Sequence, residues 1–275
     1  MKYAKAYVEI TNICNMHCSF CHGHTRPLRQ MTEAEFAHIL QQLSGKTEYI
    51  YYHLMGEPLT HPMLPMFIEM AGQHGFRSVI TTNGTLLERR GNELLEAGVH
   101  KVSVSLHSFE GDDANAHARY VLQVANFARR ASESGVIVCL RLWNKGCDDG
   151  KNMVAEECLC EAFPEPWQEN SRGYRLIDKV FLEWGDRFAW PDKAAIDQGD
   201  RVTCYGMRDH FGILVDGTVV PCCLDSEGII NLGNVFQQEL TEILTAPRAT
   251  AMAEGFRNRK ATEALCRRCG YARKF

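Results

Sequence analysis

Three cysteines stand within eight residues in Cys14-Asn15-Met16-His17-Cys18-Ser19-Phe20-Cys21, spaced C-x3-C-x2-C, shortly after the mostly apolar run from Ala6 to Ile10. Thiolates so close together can all face one small object. A single tetrahedral zinc ion as a rule takes four protein ligands of this kind. A [4Fe–4S] cube has four irons, so three cysteines leave one iron open to another ligand. A second cysteine set lies near the other end of the chain: Cys204, the pair Cys222-Cys223, and Cys266-Arg267-Arg268-Cys269. Hairpin cysteines followed by C-x2-C suit a structural zinc ribbon as well as a cluster.

The first triplet, with Phe20 just ahead of its third cysteine and Met55-Gly56-Glu57-Pro58 downstream, resembles the motifs of the radical S-adenosylmethionine (radical SAM) superfamily over about residues 4–185. The resemblance implies that Cys14, Cys18 and Cys21 hold a [4Fe–4S] cluster whose open iron is chelated by the amino and carboxylate groups of SAM. It implies that Phe20 lies near the adenine, and that Gly56 and Glu57 belong to the stretch that binds the methionyl amino group. The family's first glycine of that stretch is Met55 here. A serine after the fourth strand and a basic residue on the fifth commonly hold SAM's carboxylate and ribose, and Ser105 and Arg141 fall at those places. Asn83 stands at another strand end, as a SAM contact or as a turn residue. The spacing Cys204-x12-Gly217-x4-Cys222, then C-x2-C, resembles the short "Twitch" form of the SPASM-type auxiliary domain over about residues 200–275. That form carries one further [4Fe–4S] cluster, so Cys204, Cys222, Cys266 and Cys269 are the implied ligands. The glycine spacing favours Cys222 over Cys223.

These residues need a scaffold, and the hydrophobic pattern supplies one. Strands are expected at 7–10, 49–54, 78–82, 101–106, 136–143 and 180–184. Helices are expected between them at about 32–43, from 62 to near 75, 86–97, 114–134 and 153–163, the first opened by a capping box from Thr32 to Glu35. Residues 144–175 otherwise read as irregular. Strands alternating with helices imply βαβ units and a parallel sheet. Six of them suit an α/β fold of the partial (β/α)6 barrel type, in which functional residues gather at the C-terminal ends of the strands. From residue 200 the character changes to a hairpin at 211–220 with an Asp-Gly turn, then short helices near 239–244 and 249–256. The expected division is a core domain at 1–185 and a small Cys-rich hairpin-plus-helix domain at 200–275.

The chain has 275 residues, 45% of them hydrophobic and 23% charged, with a net charge of −4. That is an ordinary globular balance, with no general reason to bind nucleic acid. No apolar run approaches the ~20 residues of a membrane span, and the N-terminus lacks the apolar core of a signal peptide. Twelve cysteines without a secretory signal point to the reducing cytoplasm and to metal binding. Arg257, Arg259, Lys260, Arg267, Arg268, Arg273 and Lys274 form a solvated face or a rim that meets an acidic substrate or electron donor. His53, His107, Glu183 and Asp186 lie at or just after strand ends, where they could meet substrate or serve structure. Cys139, Cys147, Cys158 and Cys160 have no partner spacing.

The function these readings imply is reductive cleavage of SAM to a 5′-deoxyadenosyl radical and oxidation of a peptide or small-molecule substrate, by dehydrogenation or cross-linking. The auxiliary cluster would accept the electron, and flavodoxin or ferredoxin would supply the reducing one. Because the chain begins directly at the first strand, no separate peptide-recognition domain is expected ahead of the barrel. The competing reading is a non-catalytic iron–sulfur or zinc protein that carries electrons or binds a partner.

Overall fold

The computed structural model describes residues 2–111, 113–148 and 150–274. Strands and helices alternate through β1 (Lys5–Val8), α1 (Glu33–Leu43), β2 (Tyr49–Tyr51), α2 (Leu64–Gln73), β3 (Arg77–Thr82), α3 (Leu87–Glu96), β4 (Lys101–Ser105), α4 (Ala114–Glu133), β5 (Ile137–Leu142) and α5 (Lys151–Ala162). A hairpin of β6 (Gln168–Asn170) and β7 (Gly173–Ile177) leads into β8 (Val180–Trp184). The later part holds β9 (His210–Ile213), β10 (Thr218–Val220), β11 (Gly233–Asn234), α6 (Leu240–Thr245) and α7 (Pro247–Arg257).

All eleven strands among the described residues join one sheet, in the order β11-β10-β9-β1-β2-β3-β4-β5-β8-β7-β6. The seven strands from β9 to β8 run parallel, and an antiparallel hairpin finishes each edge. The six expected barrel strands are therefore present as β1 to β5 and β8, in an open sheet. The hairpin expected in a separate later domain is built into the same sheet. Lys5 to Val8 of β1 pair in register with His210 to Ile213 of β9.

Local chemistry explains most element ends. The Thr32 side chain accepts from the Glu35 N–H while the Glu35 carboxylate accepts from the Thr32 N–H, a cap of about 1 kcal/mol. Asp113 caps α4 through the N–H groups of Asn115 and Ala116. At the Asp216-Gly217 turn, Gly217 has φ of 87° and a Cβ there would lie 2.4 Å from the Phe236 ring. The helices pack Phe36, Ile39, Leu40, Phe67, Leu94, Phe127 and Leu159 against the sheet, all fully buried.

Three expectations need correction. The first strand stops at Val8 and not at residue 10, because Glu9 turns its carboxylate inward to a buried network. The first strand of the expected 211–220 hairpin ends at Ile213, because the Val215 N–H leaves the ladder to donate to Glu9 Oε2 at 2.9 Å. The β6/β7 hairpin lies where irregular chain was expected. Gln168, Glu169 and Asn170 are all exposed, so β6 has no buried face to write a hydrophobic alternation.

Glu9 is 0% exposed and takes a two-pronged ion pair from Arg26, with Nη1 2.8 Å from Oε2 and Nη2 2.6 Å from Oε1. The same carboxylate accepts the Met55 N–H at 3.1 Å. Removing one partner of a buried ion pair costs about 3–5 kcal/mol. Glu9→Gln and Arg26→Met should each lower unfolding stability by about that amount in chemical denaturation, whereas removal of the exposed Lys2–Glu48 pair should change it by less than about 1 kcal/mol.

Candidate functional site

The first cysteine loop leaves β1 and returns to α1 through a closed base. The Asn12 side chain accepts the Arg29 N–H at 2.7 Å and donates to the Pro27 carbonyl at 2.9 Å, and Thr11 bridges to Gln30. Within the loop, the Cys21 N–H donates to the Cys18 carbonyl at 3.0 Å, a turn between the two. Cys14 and Cys21 are exposed and Cys18 is partly buried, its Sγ 3.7 Å from the Ser108 carbonyl oxygen. The Ser19 N–H and hydroxyl donate to the Glu110 carboxylate, which pins the loop to the chain after β4. Burial raises the Cys14 thiol, and burial followed by the Glu110 charge raises Cys18 to about 11. An iron bound there displaces those protons, since the thiolate is the ligand form.

The Gly-Glu-Pro turn lies flush on this loop. Gly56 has φ of 76°, and a Cβ on it would stand 2.5 Å from the Thr11 carbonyl oxygen and 2.9 Å from the Asn12 backbone. The Glu57 N–H donates to the Ile13 carbonyl at 2.9 Å. The Glu57 side chain, 2% exposed, is turned away from solvent and accepts the N–H groups of Leu59 at 3.0 Å and Asn83 at 2.7 Å. Burial raises its carboxyl to about 7, against the pull of those N–H groups. Asn83 also donates from Nδ2 to Asn15 Oδ1 at 2.9 Å, so the end of β3 is tied to the cysteine loop. Phe20 packs 4.9 Å from the His107 ring, and its carbonyl accepts the Trp190 indole N–H at 3.0 Å. Ser105 lies half-buried at the end of β4, paired across the sheet with Arg141.

Arg141 points elsewhere. Its Nη2 donates to Ser103 Oγ at 3.0 Å, its guanidinium lies 4.7 Å from the Trp143 ring, and its Nε is buried without a partner. It lines a cavity of about 610 Å³ between the sheet and the region of the second cysteine set. The same cavity is lined by Cys204, Cys222, Cys223, Cys266 and Cys269. The structure thus gathers Cys14, Cys18, Cys21, Phe20, Gly56, Glu57 and Asn83 at one end, and sets Arg141 beside the second cysteine set.

Burial raises all five thiols of that set, Cys204 to about 11. The two adjacent cysteines face different neighbours. After burial and Cys223, the charges that push Cys222 up are those of Cys204 and Cys266. Cys223 instead receives a hydrogen bond from Tyr7 and lies near Lys5. A Cβ on Gly206 would lie 3.5 Å from the Cys204 sulfur and 3.6 Å from the Cys222 Cβ, so these two cysteines flank one small gap. Among the described residues no three His, Cys, Asp or Glu side chains are gathered as a single-ion site. The donors nevertheless fit iron–sulfur groups: three thiols on one closed loop, and five around one cavity.

Several residues of this region carry no motif. Arg26, besides holding Glu9, donates from Nε to the Ser226 carbonyl at 2.7 Å, and Glu227 accepts from Thr25. A carboxylate inside the apolar run around Val8 and Ile10 was the one signal for Glu9. Arg267 and Arg268 pair with Asp197, and Arg273 donates to the carbonyls of Gln198, Gly199 and Arg201. Much of the basic end thus clamps the connecting segment. That segment lays Trp190 on the first cysteine loop and Phe188 5.0 Å from the Tyr271 ring. His53 lines the cavity, His107 packs on Phe20, and Glu183 lies near Cys139.

The family description "Radical SAM superfamily" fits residues 8–144, and "Iron-sulfur cluster-binding domain", SPASM, fits residues 204–270. The chain belongs to the radical SAM superfamily. Its two domains bring with them a [4Fe–4S] cluster with SAM and an auxiliary iron–sulfur cluster. GTP 3',8-cyclase of Chlorobaculum tepidum is 33% identical over 107 residues, which are 38% of this chain and 32% of that protein. AdoMet-dependent heme synthase of Methanosarcina barkeri is 33% identical over 116 residues, 41% of this chain and 32% of that protein. The radical SAM chain thus spans about a third of the length of these curated relatives. Among solved structures, BtrN with AdoMet and 2-DOIA matches with TM-score 0.62 at 20% identity, covering 98% of this chain and 94% of that one. Streptococcus suis SuiB bound to S-adenosylmethionine matches with TM-score 0.62 at 15% identity, covering 98% and 71%. These likenesses show the fold. No helix among the described residues is long and apolar enough to cross a membrane.

Two consequences can be measured. Gly56→Ala should push the turn off the cysteine loop and destabilise the protein by about 1–3 kcal/mol, with lower iron content after reconstitution. The Glu57 carboxyl, raised to about 7, binds a proton more tightly folded than unfolded. Its contribution is fully present below about pH 4.5 and is lost as pH rises through about 7. Chemical denaturation of Glu57→Gln across that window should show a flatter profile than the native chain.

Proposed function

We propose that this radical SAM enzyme carries out a two-electron oxidation, a dehydrogenation or a cross-link, of a peptide or small molecule bound inside the barrel. One observation supports the reading above others: Arg141 and the second cysteine set line a single interior cavity. An electron acceptor held by those cysteines would border the chamber where substrate sits. The cluster that Cys14, Cys18 and Cys21 would hold would supply the electron for reductive SAM cleavage and hydrogen-atom removal from substrate, and the cluster that Cys204, Cys222, Cys266 and Cys269 would hold would take up the electron left once the substrate radical gives up a proton to a nearby base or water.

The chain's own residues then have separate tasks. Cys14, Cys18 and Cys21 hold the first cluster. Gly56, Asn83, Ser105 and Phe20 border SAM, while Glu57 shapes the turn from behind through Leu59 and Asn83. Cys204, Cys222, Cys266 and Cys269 hold the auxiliary cluster, with Cys223 turned to Tyr7. Arg141 faces substrate and not SAM. The working units are residues 1–185 and 200–275, in the cytoplasm, with flavodoxin or ferredoxin as reductant.

The test is anaerobic reconstitution followed by SAM and dithionite. The native protein should release 5′-deoxyadenosine and methionine. A triple Cys14/Cys18/Cys21→Ala variant should keep about four irons and lose cleavage, and retained cleavage would sink the assignment. Single Ala variants at Cys204, Cys222, Cys266 or Cys269 should disturb the auxiliary spectrum, whereas Cys223→Ala should not. Auxiliary variants that still fold should cleave SAM and make little oxidised product. S-adenosylhomocysteine appearing in step with product would show methyl transfer instead.

A further inference from the structure

We propose that the barrel interior binds an anionic group of the substrate, a carboxylate or a phosphate, through Lys5, Lys101 and Arg141. This rests on the reading that the cavity is the substrate chamber, and it adds what that chamber selects. The three cations come from three strands, β1, β4 and β5, and all line the same 610 Å³ space. Among the described residues none of them has a carboxylate within ion-pair distance, although Asp209 lies near enough to Lys5 to act on its charge. Arg141 bonds only to the Ser103 hydroxyl. Lys5 Nζ lies 5.2 Å from the Tyr7 ring and 4.7 Å from the Tyr51 ring, with no oxygen acceptor.

The acids lining the cavity are already engaged. Glu183 pairs with Arg172 at 4.0 Å, Asp209 pairs with Arg208 at 2.9 Å, and Asp225 accepts the N–H groups of Ile229 and Ile230 at 2.9 and 2.8 Å. No carboxylate of this wall is therefore within ion-pair distance of these cations. Two buried nitrogens in this wall, Arg141 Nε and His53 Nδ1, also have no hydrogen-bond partner, a state that ordinarily calls for a ligand or an ordered water. Burial, then Arg141 and Lys5, lower His53 to about 3, so it stays neutral and contributes hydrogen bonding without charge. Partly desolvated cations converging on one space favour an anion that accepts charge-assisted bonds from more than one of them.

Calorimetric titration of the reconstituted protein, without SAM or dithionite, tests this separately from turnover. The probes are inorganic phosphate, succinate and the neutral succinamide. At least one anion should bind saturably and succinamide should not. Tighter phosphate binding assigns a phosphoryl group and tighter succinate binding a carboxylate. Lys5→Met, Lys101→Met and Arg141→Gln should each weaken binding by about tenfold, roughly the loss of one charge-assisted bond. The exposed Lys145→Met should leave it unchanged. Lys5→Arg and Lys101→Arg should retain it, which covers a Met variant that fails to fold. Absence of saturable binding to the native protein overturns the proposal, as does binding indifferent to these substitutions. If Lys5→Met shifts the auxiliary cluster's potential while anion binding persists unchanged, the cations serve the cluster and the proposal falls. Failure of 5′-deoxyadenosine release would count against the enzymatic reading and would leave the anion result standing.

Discussion

The two-pronged bond between Glu9 and Arg26 is the interaction on which the site depends. Glu9 leaves the end of β1 with no exposure, and a bare carboxylate there would carry a heavy desolvation cost. Arg26 neutralises it, and the backbone N–H groups of Met55 and Val215 fill its remaining acceptor capacity. Those three partners belong to the cysteine loop, the Gly-Glu-Pro turn and the later hairpin, and Glu9 itself directly follows β1. One charge pair thus ties the cysteine loop, the Gly-Glu-Pro turn and the later hairpin to the end of β1. Such a pair can add little net stability over a well-packed apolar substitute. Its worth lies in geometry, because only one arrangement satisfies all its donors.

A second tier of bonds carries that geometry outwards. Glu57 is buried at the Gly-Glu-Pro turn yet spends its carboxylate on the Leu59 and Asn83 N–H groups. Asn83 in turn reaches Asn15 between the first two cysteines. Glu110 holds Ser19 from the far side. Much of what surrounds the reactive face is therefore rigid scaffold, with polar side chains consumed in holding backbone. The interior cavity is built the opposite way, with cations and buried nitrogens left open.

How much of this could be read from the chain depends on the range of each interaction. The cysteine triplet, the Thr32–Glu35 cap, the Asp216-Gly217 turn and the barrel strands are written in local spacing, and the structure has them close to where that spacing puts them. Arg141 shows the limit. Strand parity places it on the same face as Ser103 and Ser105, but a long side chain can run either way along a barrel, and burial near Ser103 and Trp143 decides the direction. Glu9 is harder still, since its partners are 17, 46 and 206 positions away. The pairing of β9 with β1 leaves no local mark, because any apolar strand of that length could fill the edge.

That pairing has a consequence for how the protein comes into being. β1 leaves the ribosome well before β9, so one of its two neighbours is made only when residues 210–213 appear. Until then an almost wholly buried strand has an unsatisfied flank, open to any other strand edge it meets. Sheets closed by partners so distant along the chain form slowly and expose nascent chains to mispairing. The nascent barrel therefore needs shelter at that flank until translation reaches the second cysteine set, and production of the two cluster-bearing regions as separate polypeptides would leave that gap permanent.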